Sequence, residues 1–254
     1  MSTSPASEPR QEAAATTGPR ALNFRSGQTI VLAGSVPTDW VAIRSGAVCL
    51  SSIVASRTRV ATAILWTGDV IGSVSPVSGT VAHYEVTALV DVVAVSVPAL
   101  KIRAGTSMVF LDEAMALQAT TAARLQRQIA MRLAGNGVQR LVNVIATLAT
   151  ALAPDVAHLP TRLALPISQH QLGQLSGLSR RQTWIYLDQL TTAGWVTTAR
   201  SKIYVEGLAA WLALQAAVDR NGLDSISTIE RCEGTLSAQA TAGFRRFERT
   251  LVPE

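Results

Sequence analysis

The sequence predicts an α+β chain in three parts: an N-terminal antiparallel β jelly roll, one long helix, and a C-terminal winged helix-turn-helix. Three observations carry this expectation. Between residue 22 and about residue 107, short β-branched runs recur between glycine-bearing turns. From about residue 109 the apolar period lengthens from two residues to three or four. Past residue 161, Ser168 and Ser179 each stand three residues before a glutamine, Gln171 and Gln182. That spacing is the signature of a helix capping box.

Taken in order, residues 1–20 are rich in Ser, Ala, Thr, Pro and Glu without an apolar core. They read as a disordered tail and not as a secretion signal. The strand region follows, with runs at 29–32, 40–43, 47–50, 60–64 and 90–97. Turns at Gly27, Gly34, Gly46, Gly68, Gly72 and Gly79 separate them. Many short strands at this spacing describe a small closed sheet or jelly roll over residues 21–108. Its interior could be packed solid or hold a ligand, and periodicity leaves both open.

Residues 109–135 form the long helix, ending near Gly135 and Gly137. Met115, Ala122, Leu125, Ile129 and Leu133 supply a narrow apolar stripe. A helix of roughly 25 residues with such a stripe invites a parallel partner, so it reads as a dimerisation helix. Packing against its own barrel is the alternative. Leu141, Val142, Ile145, Leu148 and Leu152 make a second helical stripe, closed by Pro154.

Two capped helix starts with Gly177 and Leu178 between them define a helix-turn-helix within residues 136–217. Leu172, Leu175 and Leu178 point inward, as do Thr183, Leu187 and Leu190, leaving Arg180, Arg181, Trp184, Ile185 and Asp188 outward. Runs at 195–197 and 202–205 form a hairpin of the kind that makes a wing, and a helix bearing Leu208, Trp211, Leu212 and Leu214 follows. Residues 218–254 form an extension expected to be partly helical.

This unit has the chemistry of a reader of double-stranded DNA. Helix N-termini at Ser168 and Ser179 suit phosphate. Arginine pairs two donors with guanine O6 and N7, which makes Arg180 the first candidate for base contact and Arg181 the second. Trp184 and Ile185 are candidates to meet thymine methyl groups. Ser168, Gln169, His170, Ser179, Gln182 and the wing residues Arg200, Ser201 and Lys202 are candidates for backbone contacts that set register. The net charge of +5, from 22 Arg and Lys against 17 Asp and Glu, permits a polyanionic partner without requiring one.

The arrangement resembles the Crp/Fnr family of bacterial transcription regulators across roughly residues 22–217, most closely over residues 167–205. The resemblance implies a cyclic-nucleotide-binding-type barrel, a homodimer and an inverted-repeat operator, with RNA polymerase as a further partner. It also implies that Arg180 reads guanine. Arg181 stands where many members carry a base-reading glutamate, and Ile185 where many carry another arginine, so the half-site should differ from the commonest one. In the barrel, Gly68, Asp69, Ile71 and Gly72 resemble the turn that holds the ribose in cyclic-nucleotide binders. With His83, Leu125 and Gln126 they outline a candidate effector pocket. Residues 76–87 contain no arginine to pair with a cyclic phosphate, however, and a buried phosphate without a cation is poorly compensated. Ordinary cAMP binding is therefore not expected, no cofactor is required, and the effector is unassigned.

Other classes fit less well. A cupin-type enzyme needs two or three histidines and a carboxylate converging in the barrel, and only His83 falls there. The cysteines, Cys49 and Cys232, have no metal-ligand spacing. Neither catalysis nor a metal site is expected. No apolar run reaches membrane-spanning length, so a cytoplasmic location without a membrane partner is the expectation. A protein-interaction adaptor that has lost DNA binding, and a regulator whose barrel binds a different small molecule or nucleotide, remain the alternatives.

Overall fold

The computed structural model describes residues 19–54, 58–72, 79–98, 108–153, 160–199 and 202–223. The expected tail over 1–20 lies almost wholly outside these residues, as do Arg200 and Ser201 of the wing and the extension beyond residue 223.

The N-terminal part contains eight strands: β1 (Arg20–Phe24), β2 (Thr29–Val31), β3 (Asp39–Ser45), β4 (Ala47–Val54), β5 (Thr58–Trp66), β6 (Val70–Ile71), β7 (Tyr84–Ala88) and β8 (Val92–Pro98). They form two four-stranded antiparallel sheets, ordered β1-β8-β3-β6 and β2-β7-β4-β5. This is the expected jelly-roll-like arrangement. Alternation along the strands turns Val41 and Ile43, Val48, Leu65 and Val86 to a common interior, where they are at most 7% exposed. Burying such side chains contributes roughly 1.5–3 kcal/mol each. The short strands β6 and β7 escaped the sequence reading because neither is bounded by a clear run of its own.

Two helices connect the barrel to the C-terminal part: α1 (Met108–Leu133) and α2 (Gly137–Leu152). The junction holds more than a helix end. Asn136 caps α2 by accepting from the Gln139 N–H at 2.9 Å, and Gln139 Oε1 accepts from the Asn136 N–H at 2.9 Å. One helix therefore stops and the next starts within three residues, Ala134, Gly135 and Asn136. Leu141, Ile145, Ala146, Leu148 and Ala149 of α2 are completely buried.

The remaining elements are β9 (Arg162–Leu165), α3 (Gln169–Ser176), α4 (Arg180–Thr192), β10 (Val196–Ala199), β11 (Lys202–Glu206) and α5 (Leu208–Asn221). The hairpin β10-β11 gains a third strand, β9, on its other side. Trp195 and Trp211 meet edge to face at 5.8 Å in the core below it. That core is continuous with residues on the outer face of the barrel, including Ala47, Ala61, Ile64 and Leu89.

Strand β5 ends its sheet, and its free edge is covered by side chains of two helices. Gln128 of α1 accepts from the Ile64 N–H at 2.9 Å and donates to the Ile64 carbonyl at 2.7 Å. Gln174 of α3 accepts from the Ala61 N–H at 2.9 Å and donates to the Arg59 carbonyl at 3.2 Å. Arg132 donates to the carbonyls of Thr62 and Leu175, tying β5 to α3. An otherwise unpaired strand edge is thus satisfied within the chain.

Candidate nucleic-acid interface

The candidate interface is built on α3 and α4. Ser168 and Ser179 adopt extended backbone and cap their helices through Gln171 and Gln182. The Ser179 hydroxyl accepts from the Gln182 N–H, and Gln182 Oε1 accepts from the Ser179 N–H at 3.1 Å. The cap thus engages the Gln182 amide oxygen and leaves its Nε2 outside the capping bonds. Between the helices, Gly177 has φ +63°, a left-handed conformation that glycine adopts without steric cost. The helices pack so closely that a Cβ on Gly173 would lie 2.5 Å from Thr183 Oγ1. Leu172, Leu175, Leu178, Thr183, Leu187 and Leu190 are buried as their spacing requires.

The opposite face is open. Arg180, Arg181, Gln182, Trp184 and Asp188 are exposed, Trp184 at 61%. Arg180, Arg181 and Trp184 share a groove of about 880 Å³ with Ser168, Gln169 and His170. Three of the four candidate base contacts and part of the candidate backbone contacts therefore lie along one depression, which Ile185 does not line. Ile185 is half-buried, so it presents less of its side chain than a fully outward residue would. Lys202 is exposed at the start of β11. His170 lies 2.8 Å from the Gln174 amide nitrogen, in hydrogen-bonding contact with the residue that clasps the barrel edge.

The candidate effector residues are distributed differently. Asp69 is fully buried and accepts from the Trp66 N–H at 2.8 Å, from Thr121 Oγ1 at 3.4 Å and from Arg124. Thr121 Oγ1 in turn accepts from the Val70 N–H at 3.0 Å. Arg124 also lies over the Trp66 ring, 3.9 Å from its centroid. Ile71 and Leu125 pack into the apolar barrel core, whereas His83 and Gln126 are exposed. Arg124 and Thr121 were missed in sequence. The available signal was Asp69 itself, an acid in an apolar stretch that demands a cation or donors once buried.

The long helix carries an unusual division of its faces. Met115, Ala119, Ala122, Gln126, Ile129 and Leu133 are all exposed, alternating at four and three residues. Thr121, Arg124, Gln128 and Arg132 face inward and hold the barrel or α3. Leu125 belongs with the inward set, half-buried against the barrel core, and not with the exposed row to which spacing alone assigns it.

The described elements are thus a two-sheet barrel, a long helix and a helix-turn-helix followed by a strand hairpin. The chain has a Crp/Fnr-type fold, a cyclic-nucleotide-binding-type barrel joined to a helix-turn-helix-bearing C-terminal region. Residues 21–105 match the cyclic nucleotide-binding domain family. A CRP/FNR-family transcriptional regulator from Thermus thermophilus is similar in structure with a TM-score of 0.62 and 16% identity, covering 78% of this chain and 98% of that one. FixK2 from Bradyrhizobium japonicum gives 0.59 and 18%, covering 79% and 98%. CLP of Xanthomonas campestris, described as a c-di-GMP responsive global regulator, gives 0.58 and 12%, covering 74% and 94%. No curated protein sequence matches the chain. Among the described residues, no three His, Cys, Asp or Glu side chains gather as a metal site, and no helix is long and apolar enough to cross a membrane.

Proposed function

We propose that this protein is a sequence-specific DNA-binding transcription regulator that acts as a homodimer on an inverted-repeat operator. The observation that carries the reading is the groove in which Arg180, Arg181 and Trp184 stand beside Ser168, Gln169 and His170. Arg180, first in α4, reads guanine, and Arg181 and Trp184 contact neighbouring positions. Ile185 reaches a base through the part of its side chain left exposed. Ser168, Gln169, His170, Ser179, Gln182 and Lys202 hold phosphates and set register, with Arg200 and Ser201 at the wing tip.

The inverted faces of α1 support the dimer. A helix whose outward row is Met115, Ala119, Ala122, Ile129 and Leu133 leaves apolar surface in water, Leu133 at 78% exposure, unless a second copy covers it. The small alanines allow close approach of two parallel helices, and Gln126 at one seam position favours a single register.

The barrel is a degenerate effector domain that does not bind cAMP in the ordinary way. Its interior is filled by Val41, Ile43, Leu65, Ile71 and Val86, and Asp69 is engaged by Arg124 and Thr121. The protein acts in the cytoplasm, where RNA polymerase and the chromosome are accessible.

Footprinting of the purified protein on promoter fragments tests this reading. A protected region with two-fold symmetry is expected, and failure to discriminate any fragment from random duplex would sink it. Calorimetric titration with cAMP should give no saturable heat, and tight binding would contradict the account of the barrel.

A further inference from the structure

Between the barrel and the DNA-reading unit lies a cavity of about 420 Å³, walled by Trp66 of β5 and by α1, α2 and α5. It lies outside the barrel interior and away from the groove along α4. Its lining mixes Trp66, Ala123 and Met131 with polar side chains. Helix α2 is the apolar centre of the C-terminal core, yet it turns Asn143, Thr147 and Thr150 to this space.

Two of these groups lack partners. Asn143 is 6% exposed, and its side-chain amide bonds no other described residue. The Thr150 hydroxyl is buried without a hydrogen bond. An orphaned buried polar group destabilises a fold, so the Thr150 hydroxyl on this apolar helix favours an occupant of the cavity that satisfies it, with the Asn143 amide beside it. Thr147 instead donates to the Asn143 carbonyl at 2.8 Å, with Gln215 Oε1 3.3 Å away, and Gln215 donates to Asp219 at 2.8 Å.

A cation borders the same space. Arg127 donates to the Val218 carbonyl at 2.6 Å and pairs with Asp219 at 3.1 Å. Asp219 is half exposed, and so exposed a pair is readily exchanged for another anion. Arg124, stacked on Trp66, also borders the cavity, its charge balanced by Asp69.

We propose that this interdomain cavity binds a compact organic anion. Its carboxylate or phosphate displaces Asp219 from Arg127, and its remaining polar atoms bond Asn143 and Thr150. The walls come from both the barrel and the DNA-reading unit, so an occupant favours one arrangement of the two and shifts its population. The site would thus be an effector input separate from the barrel interior.

Calorimetric titration of the full-length protein with citrate, with 5′-AMP and with inorganic phosphate tests the proposal. Saturable binding of citrate or of 5′-AMP at one per chain is expected, and which of the two binds separates a carboxylate from a phosphate ligand. Arg127→Gln and Thr150→Val should each weaken that binding at least about tenfold. Thr150→Val keeps the side-chain shape and removes only the unpartnered hydroxyl, so its thermal midpoint without ligand should equal or exceed that of the parent. Three results would overturn the proposal: no binding of either organic anion, unchanged affinity in Thr150→Val, or inorganic phosphate binding as tightly as the organic anions. The measurement involves no DNA, so its failure leaves the DNA-binding reading standing.

Discussion

Replacing Arg124 by Met should destabilise the protein markedly, although Arg124 does not line the proposed DNA-reading groove. Asp69 has no exposed surface and the Arg124 side chain is 24% exposed, so the substitution strands a carboxylate inside the junction of barrel and long helix. Removing one partner of a buried ion pair costs about 3–5 kcal/mol. Asp69 keeps the Trp66 N–H and the Thr121 hydroxyl, which places the expected loss at the lower end, about 3 kcal/mol. Loss of the contact with the Trp66 ring adds about 0.5–1 kcal/mol. Urea denaturation at one fixed protein concentration, followed by tryptophan fluorescence, measures the change. The double variant Asp69→Asn/Arg124→Met should recover about half of the loss, because no unpaired charge remains. A loss below about 1 kcal/mol for Arg124→Met, or no recovery in the double variant, would refute the claim that this pair fastens the helix to the barrel.

The remaining predictions concern the dimer, the reader and acid stability. Ile129→Asp and Leu133→Asp, both at exposed positions, should give monomers in sedimentation with unchanged far-ultraviolet circular dichroism. Arg180→Ala should cost about 1–3 kcal/mol of specific DNA binding and relax preference at one base pair. Lys202→Ala should weaken binding to all sequences alike and reduce the salt slope by about 1, as read from titrations at several salt concentrations. Burial pushes the Asp39 carboxyl up, but bonds from Ser96 and Arg20 outweigh it and hold the group below the ordinary carboxylate range. A lowered value means that the stabilisation is complete above the unfolded pKa of about 3.9 and is lost as pH falls through the folded value. Asp39→Asn should therefore be less stable than the parent near neutral pH, and the gap should close below about pH 4 in thermal melts.

Local chemistry was the most legible. The two serine caps involve residues three apart, so Ser168 with Gln171 and Ser179 with Gln182 could be read directly, and the folded backbone places each bond where the pattern requires. Asn136 and Gln139 form the same motif at the start of α2, but Asn136, between Gly135 and Gly137, reads only as the end of α1. Long-range pairings left no such trace. Asp69 and Arg124 are 55 residues apart, and Gln128 and Gln174 meet β5 through separations of 64 and 113. Nothing in a helical stripe announces that its polar members cover a strand edge. Leu125 shows the complementary error: spacing alone joins it to Met115 and Ile129, whereas the helix turns it to the barrel core and exposes Ala119 and Gln126 instead.

Selection of bound duplexes from a random library by the full-length protein tests the central claim most directly. The account predicts two inverted half-sites whose centres lie about one helical turn apart or a multiple of it, each with a guanine that Arg180→Ala no longer selects. Recovery of no preferred sequence, or of a motif without two-fold symmetry, would contradict it.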